Sequence, residues 1–284
     1  MSTPREPGHA PSLRVSIVTN GSWFATQALG RLLERTSERH EYTVIVTTGL
    51  RQPGNHSRAA EGIRLLRRWG PRYFGYKSLV NVMPLLLRHA GKRAITLESI
   101  CSRRDIPVGR SGDVNDPEAR ERIAGFRPDV FVSFSCPYRL ERELLAVPRI
   151  GALNVHSSLL PAYAGLATYV HCLVNDEPYT GVTVHEMVER FDAGRIVGQR
   201  KVDIRPGMSV FQLFKDQCLQ GSELLEEALD QIAAVGDLSG KPQDLAARTY
   251  FGEPTRTDIR RLRRNGFELA TWADVREIVR SSLS

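Results

Sequence analysis

The chain has no uninterrupted apolar run approaching the roughly 20 residues that a membrane-spanning helix needs. Its first eleven residues are polar and contain proline, without the apolar core of a signal peptide. A cytoplasmic protein with no membrane partner is therefore expected, with a disordered start over 1–11. Cysteine is scarce: Cys101, Cys136, Cys172 and Cys218 lie far apart and make no C-x-x-C pair, so neither a zinc–thiolate site nor a disulfide framework is suggested. Buried free thiols fit better, and no ligand cluster calls for a metal. A full glycine-rich phosphate fingerprint is missing too, since Asn20-Gly21-Ser22 is only a short turn. The imbalance that does occur is positive charge, a net +7, which draws anions without saying which.

What is present is enough apolar residue for a real core, 41% of 284 positions, sufficient for one large or two modest domains. Leu13 to Thr19 is a β-branched run. Asn20-Gly21-Ser22 turns from it into a helical pattern through Ala25, Leu29, Leu32 and Leu33, and Tyr42 to Thr48 is a second strand. A strand, a helix and a strand imply a parallel pair with a right-handed crossover. The expected fold is α/β: a Rossmann-like open, mostly parallel sheet with helices on both faces and a small C-terminal extension. Such sheets place ligands outside the carboxyl ends of their strands, where the turn at Asn20, Gly21 and Ser22 lies. That turn is a candidate substrate-binding element through free helix N–H groups, or simply a cap with Ser22 at its head.

A helical insertion is expected at about 50–105, with a polar loop at 51–57 and helices over 59–69, 79–89 and 94–102. Gly70 to Tyr76 reads as the connector between the first two. Apolar positions such as Leu65, Trp69, Val80, Met83 and Leu86 suit core packing, a homodimer interface or a lid over a substrate. Strands follow at 106–108, 129–135, 179–187 and 197–204, and an amphipathic helix runs over 209–234. The boundaries expected are a principal domain at 12–205 and a helical, partly irregular C-terminal subdomain at 206–284.

The densest chemistry lies between Ala152 and Ile196. Asn154 and His156 are two residues apart on a strand, so their side chains share one face while Val155 points into packing. Ser157-Ser158-Leu159-Leu160-Pro161-Ala162-Tyr163-Ala164-Gly165 follows, too apolar for a solvated turn, and reads as a fixed, partly buried loop. Asp192 then occupies a loop tip before Gly194. His171 and His185 are assigned to packing or a hydrogen bond.

The string NVHSSLLPAYAG, then TGVT, then DAG with Ile196 two positions on, resembles the 10-formyltetrahydrofolate-dependent formyltransferase family. That family includes enzymes acting on methionyl transfer RNA, glycinamide ribonucleotide and amino-sugar nucleotides. The resemblance covers roughly 127–255 well and the first half loosely. It implies formyl transfer from 10-formyltetrahydrofolate, as co-substrate, to the primary amine of a small acceptor: an amino-sugar nucleotide or a biosynthetic amine or amino acid. It implies Asn154, His156 and Asp192 as the catalytic set. It also places the pterin near Tyr138 and Leu140, with Met187 and Phe191 as the opposite wall. A transfer-RNA substrate is not expected, because the C-terminal stretch lacks the strand pattern of the barrel that such members carry. Formyltetrahydrofolate hydrolysis and non-catalytic folate binding are the alternatives.

The chemistry itself asks for donors aimed at a developing oxyanion and a route for the amine proton. Asn154 and His156 are the candidate donors and Asp192 the group that orients His156. A carboxylate beside His156 is expected to favour the charged imidazole.

Overall fold

Strand β1 (Arg14–Thr19) is flanked on both sides, by β2 (Glu41–Thr47) and by β4 (Val130–Phe134), both parallel to it. This central position fixes the architecture. The computed structural model describes residues 12–47, 58–89 and 95–282, the stretches 58–61 and 82–89 as backbone only. The expected disordered start and polar loop, and the side chains of Met83 and Leu86, lie outside the described residues.

The seven-stranded sheet has the order β3-β2-β1-β4-β5-β7-β8. Strand β3 (Val108–Ser111) and β5 (Gly151–His156) extend the parallel part, whereas β7 (Tyr179–Glu186) and β8 (Ile196–Asp203) run antiparallel to their neighbours. The fold is thus the expected open, mostly parallel α/β sheet. The chain order reverses between β1 and β4, so a crevice opens outside their carboxyl ends, the place where such sheets take ligands.

Alternation divides each strand between two cores. Val15, Ile17, Val130, Val132, Phe134 and Leu153 belong to the larger one. Val18, Phe131 and Ala152 belong to the smaller one. The larger core is covered by α1 (Trp23–Thr36), α2 (Arg58–His89), α3 (Leu97–Ser102) and α7 (Val210–Val235). The smaller is covered by α4 (Pro117–Phe126) and α5 (Arg142–Leu145), through Ile123 and Leu144. Helix α7 starts at a Ser209/Gln212 capping box and presses close to the sheet. A Cβ at Gly221 would come within 2.7 Å of Val155 Cγ1.

The connector expected at Gly70 to Tyr76 is helical instead. Helix α2 runs from 58 to 89 with one break, at Gly70, whose φ of 78° a residue with a Cβ adopts only at a cost. Pro71 then sits where a first-turn proline is tolerated, so the helix resumes at once. This buries Tyr73, Tyr76 and Val80 in the larger core. The strand expected at 106–108 begins two residues later, at Val108.

The fixed loop after β5 contains β6 (Ala164–Gly165), which pairs with β9 (Tyr250–Phe251) and is followed by α6 (Thr168–Val174). The pairing is tight: Ala164 N–H donates to Thr249 O and Leu166 N–H to Phe251 O, and the Tyr163 and Phe251 rings stack at 4.8 Å. Helices α8 (Arg256–Arg264) and α9 (Trp272–Ser281) complete the chain, and both contact α2. Asp274, buried at the start of α9, accepts from Ser209 Oγ and Gln212 Nε2 and so ties α9 to α7. Among the described residues, no helix is long and apolar enough to cross a membrane.

Candidate active site

Strand β5 ends in the crevice with Asn154 paired to Ser133 of β4 on one side and to His185 of β7 on the other. Asn154 shares the face of Ala152, and so does His156, as the alternation requires. Met187, just past β7, packs on that same smaller core, and the chain then turns to Asp192. Asp192 is anchored by the β6 loop: Gly165 N–H donates to its Oδ2 at 2.8 Å. That contact needs a glycine, since φ is 106° and a Cβ would lie 2.1 Å from Phe251 O. Gln243 holds the same turn, donating through Nε2 to the carbonyls of Asp192 and Gly194 at 3.0 and 2.7 Å.

The structure brings Asn154, His156 and Asp192 together and adds His185. The partners fix the protons. His185 Nδ1 faces Glu186 O at 2.8 Å, and a carbonyl only accepts, so Nδ1 carries hydrogen. In the neutral ring Nε2 is then bare, and it accepts from Asn154 Nδ2 at 3.1 Å. One N–H of the Asn154 amide is thereby used, and the other remains. By the same logic His156 Nε2–H donates to Tyr163 O at 2.9 Å. Its Nδ1 faces Asp192 Oδ1 at 3.8 Å, too far for a direct hydrogen bond. His185 Nε2 is 3.6 Å from that same oxygen.

Electrostatics separates the two charges. Burial lowers the His156 pKa, outweighing the Asp192 carboxylate and the Tyr163 carbonyl, which raise it. The expectation of a charged His156 is thus corrected: the imidazole is buried, and desolvation of the cation wins over the nearby anion. Burial also opposes the charge on Asp192, but His156 and His185 in their protonated forms, together with the Gly165 N–H, outweigh it and hold the carboxyl at about 2.

Around this set lies a cavity of about 570 Å³. On the side of the smaller core it is lined by Pro137, Tyr138, Arg139, Met187 and Phe191. On the side of the larger core it is lined by Phe24, Tyr76, Tyr169, Phe214 and Gln217. Asn154, His156 and Asp192 line the same cavity. Tyr138 is buried, and its hydroxyl donates to Gly112 O. Leu140 is buried in the smaller core and is not among the lining residues. Asn20 and Ser22 line the cavity, whereas Gly21 does not. Ser22 caps α1 by accepting from Ala25 N–H at 3.4 Å. The mouth carries exposed Phe191 and Tyr250, each with an arginine over its ring, Arg139 at 5.5 Å and Arg248 at 5.2 Å.

His185 makes the hydrogen bonds expected of it, but its place beside Asn154 and Asp192 was not part of the expectation. Its alternation with Met187, two residues on, was the signal in the sequence, whereas its place opposite Asn154 comes from strand pairing. His171 does what was expected of it, facing Gly252 O at 2.8 Å through Nε2.

A family model described as formyl transferase matches residues 87–229, half of the chain. The chain belongs to the formyl transferase family. Its fold matches a sugar N-formyltransferase from Shewanella sp FDAARGOS_354 with a TM-score of 0.56 at 16% identity, covering 89% of this chain and 87% of that one. Glycinamide ribonucleotide transformylase 1 from Symbiobacterium toebii matches with a TM-score of 0.57 at 17% identity, over 83% and 94%. An N-formyltransferase from Helicobacter canadensis gives 0.54 at 16% identity, over 87% and 72%.

Proposed function

We propose that the protein transfers the formyl group of 10-formyltetrahydrofolate to the primary amine of a small acceptor, with Asn154, His156 and Asp192 as the reacting set. The observation that carries this is their convergence on one cavity whose lining residues come from both sides of the sheet. A donor and an acceptor entering from opposite sides would meet there.

The donor would occupy the lobe of Tyr138, Arg139, Met187 and Phe191, where apolar walls and backbone groups suit a flat heterocycle. Leu140 would support this wall from behind. Support for a folate comes from the Helicobacter canadensis N-formyltransferase, whose structure is of a complex with folinic acid and dTDP-3-aminofucose. The acceptor would enter past Asn20 and Ser22, with Gly21 shaping their turn.

Attack of the amine nitrogen on the formyl carbon forms a C–N bond and pushes an electron pair onto the formyl oxygen. The free N–H of the Asn154 amide would donate to that oxygen, in an orientation kept by His185. The neutral His156 would accept the amine proton at Nδ1, the nitrogen left open toward Asp192. Asp192 would stabilise the resulting imidazolium. Collapse of the intermediate breaks the bond between the formyl carbon and folate N10. His156 would return the proton to that leaving nitrogen, so the ring ends as it began.

The test is release of tetrahydrofolate from 10-formyltetrahydrofolate across a panel of amino-sugar nucleotides and amino-acid amines. Release that depends on an added amine supports transfer. Release with no amine present would make the protein a hydrolase instead.

A further inference from the structure

Asp192 stands in the left-handed region, with a φ of 51°. A residue with a Cβ keeps such a conformation where its surroundings over-determine it. Much of that constraint comes from one segment, 241–251, which lies beyond the stretch that the family model matches. The segment is pinned at both ends. Lys241 and Ile196 exchange backbone hydrogen bonds of 2.7 and 2.8 Å, and β9 pairs with β6. Between these pins two side chains reach back to the Asp192 turn. Gln243 Nε2 donates to Asp192 O and Gly194 O, and Arg248 Nη2 donates to Phe191 O at 3.1 Å. The Arg248 guanidinium also lies over the ring of Tyr250, on the strand whose partner supplies the Gly165 N–H to Asp192.

We infer that Gln243 and Arg248 are positioning residues for formyl transfer, clamping the two peptide planes that flank Asp192 and so setting its carboxylate against His156; this rests on the role given to Asp192 above. A peptide unit is planar, so holding the carbonyl on each side of a Cα fixes its φ and ψ together. The direction in which the Asp192 side chain leaves the backbone follows from those angles. The carboxylate needs this constraint, because Oδ1 stands between His156 Nδ1 at 3.8 Å and His185 Nε2 at 3.6 Å without a short bond to either. Neither Gln243 nor Arg248 lines the cavity, so both act through Asp192 and not on the reactants.

Gln243→Met removes one donor and keeps a neutral side chain of similar length. Arg248→Met removes the other, and both positions are half-buried, so the fold is expected to tolerate them. Each variant is expected to lower kcat about 10- to 100-fold, the cost of a misplaced group. Added to Asp192→Asn, each should cost less than about threefold, because a residue acting through the carboxylate then has nothing to position. Equal losses in the two backgrounds, or a kcat within about twofold of wild type, would overturn the inference.

NMR titration of His156 needs no turnover and so separates this inference from the transfer reaction. Burial, His185 and Arg248 all lower the pKa of this ring, whereas Asp192 and the Tyr163 carbonyl raise it. Gln243→Met changes no charge and acts on the titration by loosening Asp192. The expected result is a midpoint below that of wild type, with no further shift when Gln243→Met is added to Asp192→Asn. An unchanged midpoint in Gln243→Met, or the same fall in the background without the carboxylate, would overturn it.

Discussion

Asn154 Nδ2 and His185 Nε2 lie 3.1 Å apart on paired antiparallel strands, and the His185 Nδ1–H to Glu186 O bond decides which of them donates. The orientation of the Asn154 amide thus depends, through the His185 ring, on the Glu186 carbonyl. His185→Leu removes this support while keeping the strand apolar and filled. The expected outcome is a kcat lower by roughly 10- to 100-fold, as for a loosened oxyanion donor, with the KM for 10-formyltetrahydrofolate little changed. Steady-state kinetics on the variant checks it, and unchanged kcat would remove His185 from the mechanism.

His156 should titrate below its ordinary value of 6.5, because burial disfavours its charged form more than Asp192 favours it. A lowered pKa means that the ring is neutral at pH 7 and gains a proton only in acid. NMR titration of labelled histidine, with His156→Ala to assign the signal, is expected to show a midpoint below 6.5. A midpoint above 6.5 would restore a charged imidazole as the resting state.

Asp192 contributes stability through its ionisation. Its folded pKa of about 2 lies below the unfolded value of 3.8. The contribution is therefore present above the unfolded value and is lost as pH falls through the folded one. A difference of nearly two pH units corresponds to about 2 kcal/mol. The stability gap between wild type and Asp192→Asn, measured by urea unfolding, is expected to narrow by about that much between pH 5 and pH 2. A gap independent of pH would mean that the carboxylate is not held by its neighbours.

Much of this site was legible because alternation on a strand is a strict rule. Asn154 and His156 share a face for the same reason that Leu153 and Val155 share the other, and the structure keeps that order. Loop closure does not follow such a rule. The β6–β9 pair spans two residues on each side and joins segments more than eighty positions apart, so no local period announces it. Gly70-Pro71 misled in the opposite direction. The pair usually ends a helix, yet here a single positive φ at Gly70 lets the helix resume and brings Tyr76 to the cavity. His185 was hidden by its bland setting in a β-branched strand, since its partners come from β5 and the Asp192 loop.

Gly165→Ala tests that closure. The added methyl group would lie 2.1 Å from Phe251 O, at a φ of 106° that non-glycine residues rarely adopt. The β6–β9 pair or the Asp192 anchor must then shift. A loss of about 2–4 kcal/mol is expected, combining backbone strain with a broken pairing. Thermal unfolding measures it, and an unchanged midpoint would show that the loop absorbs the methyl group freely.

The central claim, that His156 takes the amine proton in this cavity, is met most directly by His156→Ala. The measurement is amine-dependent release of tetrahydrofolate from 10-formyltetrahydrofolate, with folate binding followed in parallel. The expected result is turnover lower by about 10²–10⁴-fold, the usual span for losing a positioned acid–base group, with folate affinity within a few-fold of wild type. Turnover within threefold of wild type would contradict the claim and leave His156 as a buried support for the Tyr163 carbonyl.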